Sequence, residues 1–257
     1  MIPAPMLADF AIRLAFGLAV AILLTSWRAV PLAFFRNQAL MILGLLVLAA
    51  LDLTRAGGSA WAFWSIVGGA VIAYISAVAW GLGLPRFGTF ASVIVATVTA
   101  VWLGAVSRSV GADWWALNTA VRLSSGFLVG TTLTAMLLGH HYLTAPAMSI
   151  DPLKQVIGLI AWSLVARCLL AGLGLWMSRA GTFGLAAYSE VPDAGMFLAA
   201  RWGMGFAGTA IATYMTWRTA QIRSTQSATG ILYITMIFVL FGELTSMILA
   251  GRTGIPC

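Results

Sequence analysis

LADFAIRLAFGLAVAILLTSW, residues 7–27, decides the fold class. A helix of this length rises about 32 Å at 1.5 Å per residue, enough to cross a hydrocarbon core of roughly 30 Å. Apolar runs of similar length then follow one another to the end of the chain. The expected spans are Leu7–Trp27, Pro31–Leu53, Trp61–Leu84, Phe87–Ser107, Trp115–Gly139, Gln155–Trp176, Ala194–Trp217 and Thr229–Ala250. In the second, Arg36 and Asn37 interrupt the run and leave only ALMILGLLVLAAL free of charge. Composition agrees, with 61% hydrophobic and 8% charged residues, the proportions of a membrane chain rather than a soluble domain. The expected fold is an all-α polytopic membrane protein of about eight transmembrane helices, forming a single integral membrane domain over residues 1–257.

Proline and tryptophan support these limits. Pro31, Pro85, Pro146, Pro152 and Pro192 fall near span ends, where a missing backbone donor costs least. Trp27, Trp61, Trp64, Trp115, Trp176 and Trp217 lie near ends as well, as an interfacial belt requires. Two longer connections, GHHYLTAPAMSIDPLK and SRAGTFGLAAYSEVPD, have room for short interfacial helices. The N-terminus lacks a basic region and an A-x-A-like cleavage site, so it reads as a retained first span.

An even number of spans puts both termini on one face. The opposite face carries Arg28, Arg36, Arg86, Lys154, Arg218 and Arg223, against Arg55, Arg108, Arg179 and Arg252 on the terminal face. The positive-inside rule then places both termini outside, and the expected location is a bacterial cytoplasmic (inner) membrane. The net charge of +7 is spread over scattered residues, which suits lipid headgroups or a protein partner and not nucleic acid. Cys168 and Cys257 have no iron–sulfur or zinc spacing.

Three spans share a motif. AIRLAFG (11–17), AVRLSSG (120–126) and AARWGMG (199–205) each set an arginine four residues before a glycine, hence on one helix face beside bare backbone. Arg13, Arg122 and Arg201 lie roughly 10 Å inside the terminal face. Glycine contacts are common between membrane helices, so the spacing also has a purely packing reading. The first two copies open the two halves of the chain in the same direction, which suggests parallel four-helix halves at 1–110 and 111–257. Arg167 and Glu243 reach a similar layer, about 18 and 20 Å from the opposite face. Charges at such depth usually avoid lipid and mark a path, a site or an internal pair. Glu243 is expected to neutralise Arg201 or Arg167. The remaining positive character suits a quinone carbonyl, an anionic substrate or a lipid phosphate, and the ligand-binding candidates of this layer are Arg122, Arg167, Arg201 and Glu243. Snorkelling to headgroups is the alternative for the shallow arginines.

His140 and His141 are the chain's only histidines and sit at the other boundary. Adjacent helical residues point about 100° apart, so the two cannot ligate one haem axially. A haem would need other ligation or a partner chain. No metal site is expected, because Asp151 lacks ligand spacing to the pair. One imidazole is expected to turn into the bundle as a ligand-binding candidate, with the other beside Tyr142 at the headgroups.

Eight helices, short loops and a few interior Arg, His and Glu residues resemble the quinone-reactive membrane anchors of the polysulfide-reductase type. GHHYL is also similar to a Gly-His-aromatic-Tyr-Leu signature of bacterial membrane proteins. The first resemblance implies an integral subunit of an electron-transfer complex that interacts with quinone and with membrane or peripheral redox proteins. Two other readings stand beside it: a secondary transporter or flippase for an anionic substrate, and a non-catalytic assembly or scaffold subunit. No Ser–His or paired-carboxylate spacing supports an intramembrane enzyme.

Overall fold

Prolines and glycines punctuate this chain where the sequence places its loops. In the computed structural model, which describes residues 5–110, 114–145, 148–179 and 193–253, the elements are all helical. They are α1 (Met6–Leu24), α2 (Leu32–Arg55), α3 (Ala60–Gly81), α4 (Pro85–Val110), α5 (Trp115–Thr144) and α6 (Asp151–Arg179). Then come α7 (Ala194–Ala200), a π-helical segment (Arg201–Gly208), α8 (Thr209–Gln221) and α9 (Thr225–Thr253). Of the described helices, 7 are long and apolar enough to cross a membrane. Residues 194–221 make one further unbroken rod, divided internally by the π segment. The chain is a polytopic all-α membrane protein.

The helix ends follow from local chemistry. Pro31 immediately precedes α2 and Pro85 begins α4, positions where a fixed φ helps and no intrahelical donor is lost. Ser59 caps α3 by accepting from the Ala62 N–H at 3.3 Å. Gly83, at φ +74°, ends α3, and the Leu84 N–H returns to the Ala79 carbonyl at 2.9 Å, the usual glycine-mediated stop. Other helices close both ends of α1. The Ala8 N–H donates to the Asp52 carboxylate at 2.9 Å, and the Gln155 amide donates to the Leu24 carbonyl at 2.8 Å, satisfying backbone groups that a helix leaves open.

At the centre are α1 and α5. In their most apolar windows 67% of residues are buried, against 39% for α2, α3, α4 and α6. Around this pair, α1 touches α2 and α4, and α3 packs across α2 and α4. On the other flank α5 touches α6 and α9, while α8 packs across α6 and α9. At three glycines of the α1–α5 seam backbone meets backbone. A methyl on Gly17 would fall inside the Gly126 carbonyl, one on Gly126 inside that of Arg13, and one on Gly130 against the Gly17 backbone. Such close approach is what small residues contribute in membranes, where lipid removes the hydrophobic drive for helix association. Phe87, Phe90, Trp162, Leu169 and Ile211 project outward, as a surface bathed in hydrocarbon allows.

The second span runs as expected through Arg36 and Asn37 without a break, because both side chains are exposed near its start. Two expectations change. No separate interfacial helix occurs among the described residues of 139–154: α5 carries on to Thr144 and α6 starts at Asp151. The other expected interfacial segment lies mostly outside the described residues. The seventh span is no regular α-helix, since RWGMGFAG winds as π-helix.

Candidate functional site: a buried charge layer

The site starts with a carboxylate in the first turns of α1. Asp9 pairs with Arg13 one turn along at 2.6 Å, and both are buried. Across the seam, Arg122 of α5 pairs with the same carboxylate while its Nε donates to Asn118 at 3.2 Å, again one turn away. Asp9 thus serves two guanidinium groups. Arg13 also reaches Ser125 of α5 at 3.4 Å, and its Nε has no hydrogen-bond partner.

Ser125 connects this group to a second one. Its hydroxyl is on the side of α5 that faces Glu243 of α9. Glu243 takes a two-pronged bond from Arg167 of α6, Nε at 3.0 Å and Nη2 at 2.9 Å, and Arg167 also donates to Ser246 at 3.0 Å. This fork geometry is the strong form of an arginine–carboxylate pair. Arg201 opens the π segment, donates to the Gly242 carbonyl at 3.1 Å, and stacks its guanidinium 4.8 Å from the Phe206 ring centre. It faces Glu243 electrostatically as well. Gly205 and Gly242 meet backbone to backbone: a methyl on Gly205 would stand 2.8 Å from the Gly242 Cα.

The structure therefore gathers Arg122, Arg167, Arg201 and Glu243 into one layer with Arg13. Of the two partners expected for Glu243, Arg167 takes the direct pair. Asp9, Asn118, Ser125 and Ser246 were not anticipated. A signal existed for two of them, since Asp9 and Asn118 each stand four residues before an arginine of the repeated motif, and that spacing puts them on its face.

The histidines do not join the layer. They lie near the far end of α5, with His140 exposed. His141 is half-buried, its ring 6.2 Å from that of Phe34, and its Nε2 is enclosed without a hydrogen-bond partner. Tyr142 was expected at the headgroups but is buried, because its hydroxyl closes the turn by donating to the Ser149 carbonyl. No group of three His, Cys, Asp or Glu residues suited to a metal occurs among the described residues.

Arginine keeps its charge inside proteins. Four guanidinium groups (Arg13, Arg122, Arg167, Arg201) face two carboxylates (Asp9, Glu243) in this layer. Among the described residues the arrangement presents a fan of N–H donors around these two carboxylates. No protein-family model matches the chain, and no curated protein matches it.

Proposed function

We propose that the chain is a secondary transporter or flippase for an anionic substrate, whose acidic group binds the outer-half arginine layer. The observation behind this reading is the convergence of Arg13, Arg122, Arg167 and Arg201 in one buried layer. Guanidinium groups bind an acidic group through charge-assisted, often two-pronged bonds, and buried charge at such depth commonly marks a substrate path. A quinone, as the architectural resemblance implies, would find donors for its carbonyls here but would bring no opposite charge to strengthen those bonds. The π segment supports the same reading, because π turns cluster at functional sites and transporters place interrupted helices beside their ligands.

The neighbour pattern supports two parallel halves within one integral membrane domain. In each, the first helix touches the second and fourth while the third packs across both. Asp9–Arg13–Gly17 and Asn118–Arg122–Gly126 then correspond in position, each with a side-chain contact one helical turn long, an ion pair in the first and a hydrogen bond to a neutral amide in the second. The orientation proposed is termini outside. Cysteines introduced at Pro5 and Arg252, in a cysteine-free background, should both react with an impermeant maleimide added outside intact cells. Labelling of both only after permeabilisation would invert the orientation.

Binding is tested with butyl phosphate, a short-chain probe, on protein in zwitterionic nanodiscs. Wild type should gain thermal stability as the probe is added, and Arg201→Leu should weaken the apparent affinity by about tenfold, the worth of one charge-assisted contact. Stabilisation by a short-chain quinone with no response to butyl phosphate would favour the electron-transfer subunit, which should then co-purify with a redox partner. A response to neither would favour the scaffold.

A further inference from the structure

Lys154 and Arg218 stand on neighbouring helices at the face opposite the termini. Arg218, in the last turn of α8, is exposed and donates to the Tyr214 hydroxyl one turn back at 3.3 Å. Lys154 stands near the start of α6. Between the two helices runs a groove of about 300 Å³, open toward lipid, and Ile157, Gly158, Tyr214 and Trp217 line it at this end. The helical repeat ties the charges to the groove. Lys154 precedes Ile157 and Gly158 by three and four residues, and Arg218 follows Tyr214 by four, so each shares a helix face with the lining. From Ile157 to Val165 the trough extends about 12 Å along α6 at 1.5 Å per residue.

Among the described residues neither Lys154 nor Arg218 forms an ion pair. The carboxylate at this end is Asp151, three residues before Lys154, and it takes the Ser149 hydroxyl at 2.5 Å. Two helices thus each bring a basic group to the mouth of one apolar trough, with Trp217 beside them as an interfacial ring. A larger groove of about 430 Å³ lies between α2 and α3. Arg55, four residues past Leu51 of its lining, stands at one end of it, but Asp52 is three residues away and α3 brings no basic group there. Volume alone does not distinguish the two grooves; the paired cations do.

We infer that the α6–α8 groove is a binding site for an anionic phospholipid of the leaflet opposite the termini. One acyl chain lies in the trough, and the phosphate sits between Lys154 and Arg218. Basic pockets between membrane helices recognise anionic headgroups in this way, whereas a zwitterionic lipid brings its own cation to the same two charges. α8 continues through the π segment to Arg201, so a lipid seated here braces that rod against α6. The headgroup is held by boundary residues and not by the buried arginines, and the inference stands apart from the anion-transport reading.

The probe is phosphatidylglycerol with a diazirine in its acyl chain, present at low fraction in phosphatidylcholine nanodiscs holding the full chain. Photolabelling should concentrate at residues 157–165 and 210–217, and unlabelled phosphatidylglycerol should compete where added phosphatidylcholine does not. Lys154→Ala and Arg218→Ala should each reduce labelling about fivefold and the pair about thirtyfold, the worth of one and two basic residues at a membrane surface. Arg218→Lys keeps the charge and should retain most of the labelling. Added salt should weaken labelling of wild type more than of the paired variant. Gly158→Leu, at a position with open space beside it, fills the trough and should lower labelling with both charges in place; Ala161→Trp, at an exposed position, provides a second block should the first fold poorly. Labelling indifferent to the charge variants, or spread equally over the α2–α3 groove, overturns the site. Competition by inorganic phosphate that matches competition by phosphatidylglycerol makes it a free-anion site and overturns the lipid. Arg201→Leu, which tests the anion-transport reading, should leave this labelling unchanged, so that either reading can fail alone.

Discussion

Glu243→Ala should destabilise the protein by about 3–5 kcal/mol, the usual cost of removing one member of a buried ion pair. The carboxylate accepts both prongs of Arg167 and faces Arg201, so its loss takes a negative charge away from two buried guanidinium groups. Glu243→Gln separates charge from hydrogen bonding and should fall between the variant and wild type. Pairing Glu243→Ala with Arg167→Met should recover much of the loss, because an apolar replacement of a whole buried pair is often neutral. Thermal unfolding of the purified set, read as a double-mutant cycle, measures this coupling. Equal stability of the single and double variants would show that Arg167 does not depend on Glu243. The exposed Asp193 gives a suitable control, since Asp193→Asn removes a charge that solvent already screens.

At the α1–α5 seam a single methyl should reverse its usual sign. Alanine favours a helix over glycine by about 1 kcal/mol, so Gly44→Ala and Gly230→Ala, where nothing stands within 4 Å of the added carbon, should be neutral or stabilising. Gly17→Ala and Gly126→Ala put the same carbon into the backbone of the facing helix and should cost about 1–3 kcal/mol, as overpacking does. Leucine at either site should abolish recovery of folded protein. Melting temperatures of the four alanine variants decide it. A stable Gly17→Ala protein would mean that α1 and α5 stand farther apart than described.

Charge was the legible part of this site. Arg167 and Glu243 stand out in apolar runs because lipid makes a lone charge so costly that a pair is the natural expectation. Asp9 was overlooked because, three residues into its helix, it resembles an ordinary first-turn acid. Its role depends on a helix more than a hundred residues away. Ser125 and Ser246 carry no signal of their own, since small hydroxyl residues occur throughout membrane helices. The π segment was hidden for a different reason. RWGMGFAG contains no proline, and its apolar pattern fits an α-helix equally well. What separates the two windings is the close meeting of Gly205 with Gly242, a tertiary fact. The spans themselves were readable throughout, because length and apolarity are all the bilayer demands of them.

The glycine seam also sets how this molecule can deform. Ordinary helix interfaces yield by switching rotamers, whereas at Gly17, Gly126 and Gly130 there are no rotamers to switch. Packed interiors shift between discrete arrangements and do not stretch continuously, so this crossing works as a keel. Compliance must come from elsewhere. The candidate is the rod of residues 194–221, whose irregular winding begins at Arg201. A frame held stiff along one line and loose along another gives displacement a direction before any ligand arrives.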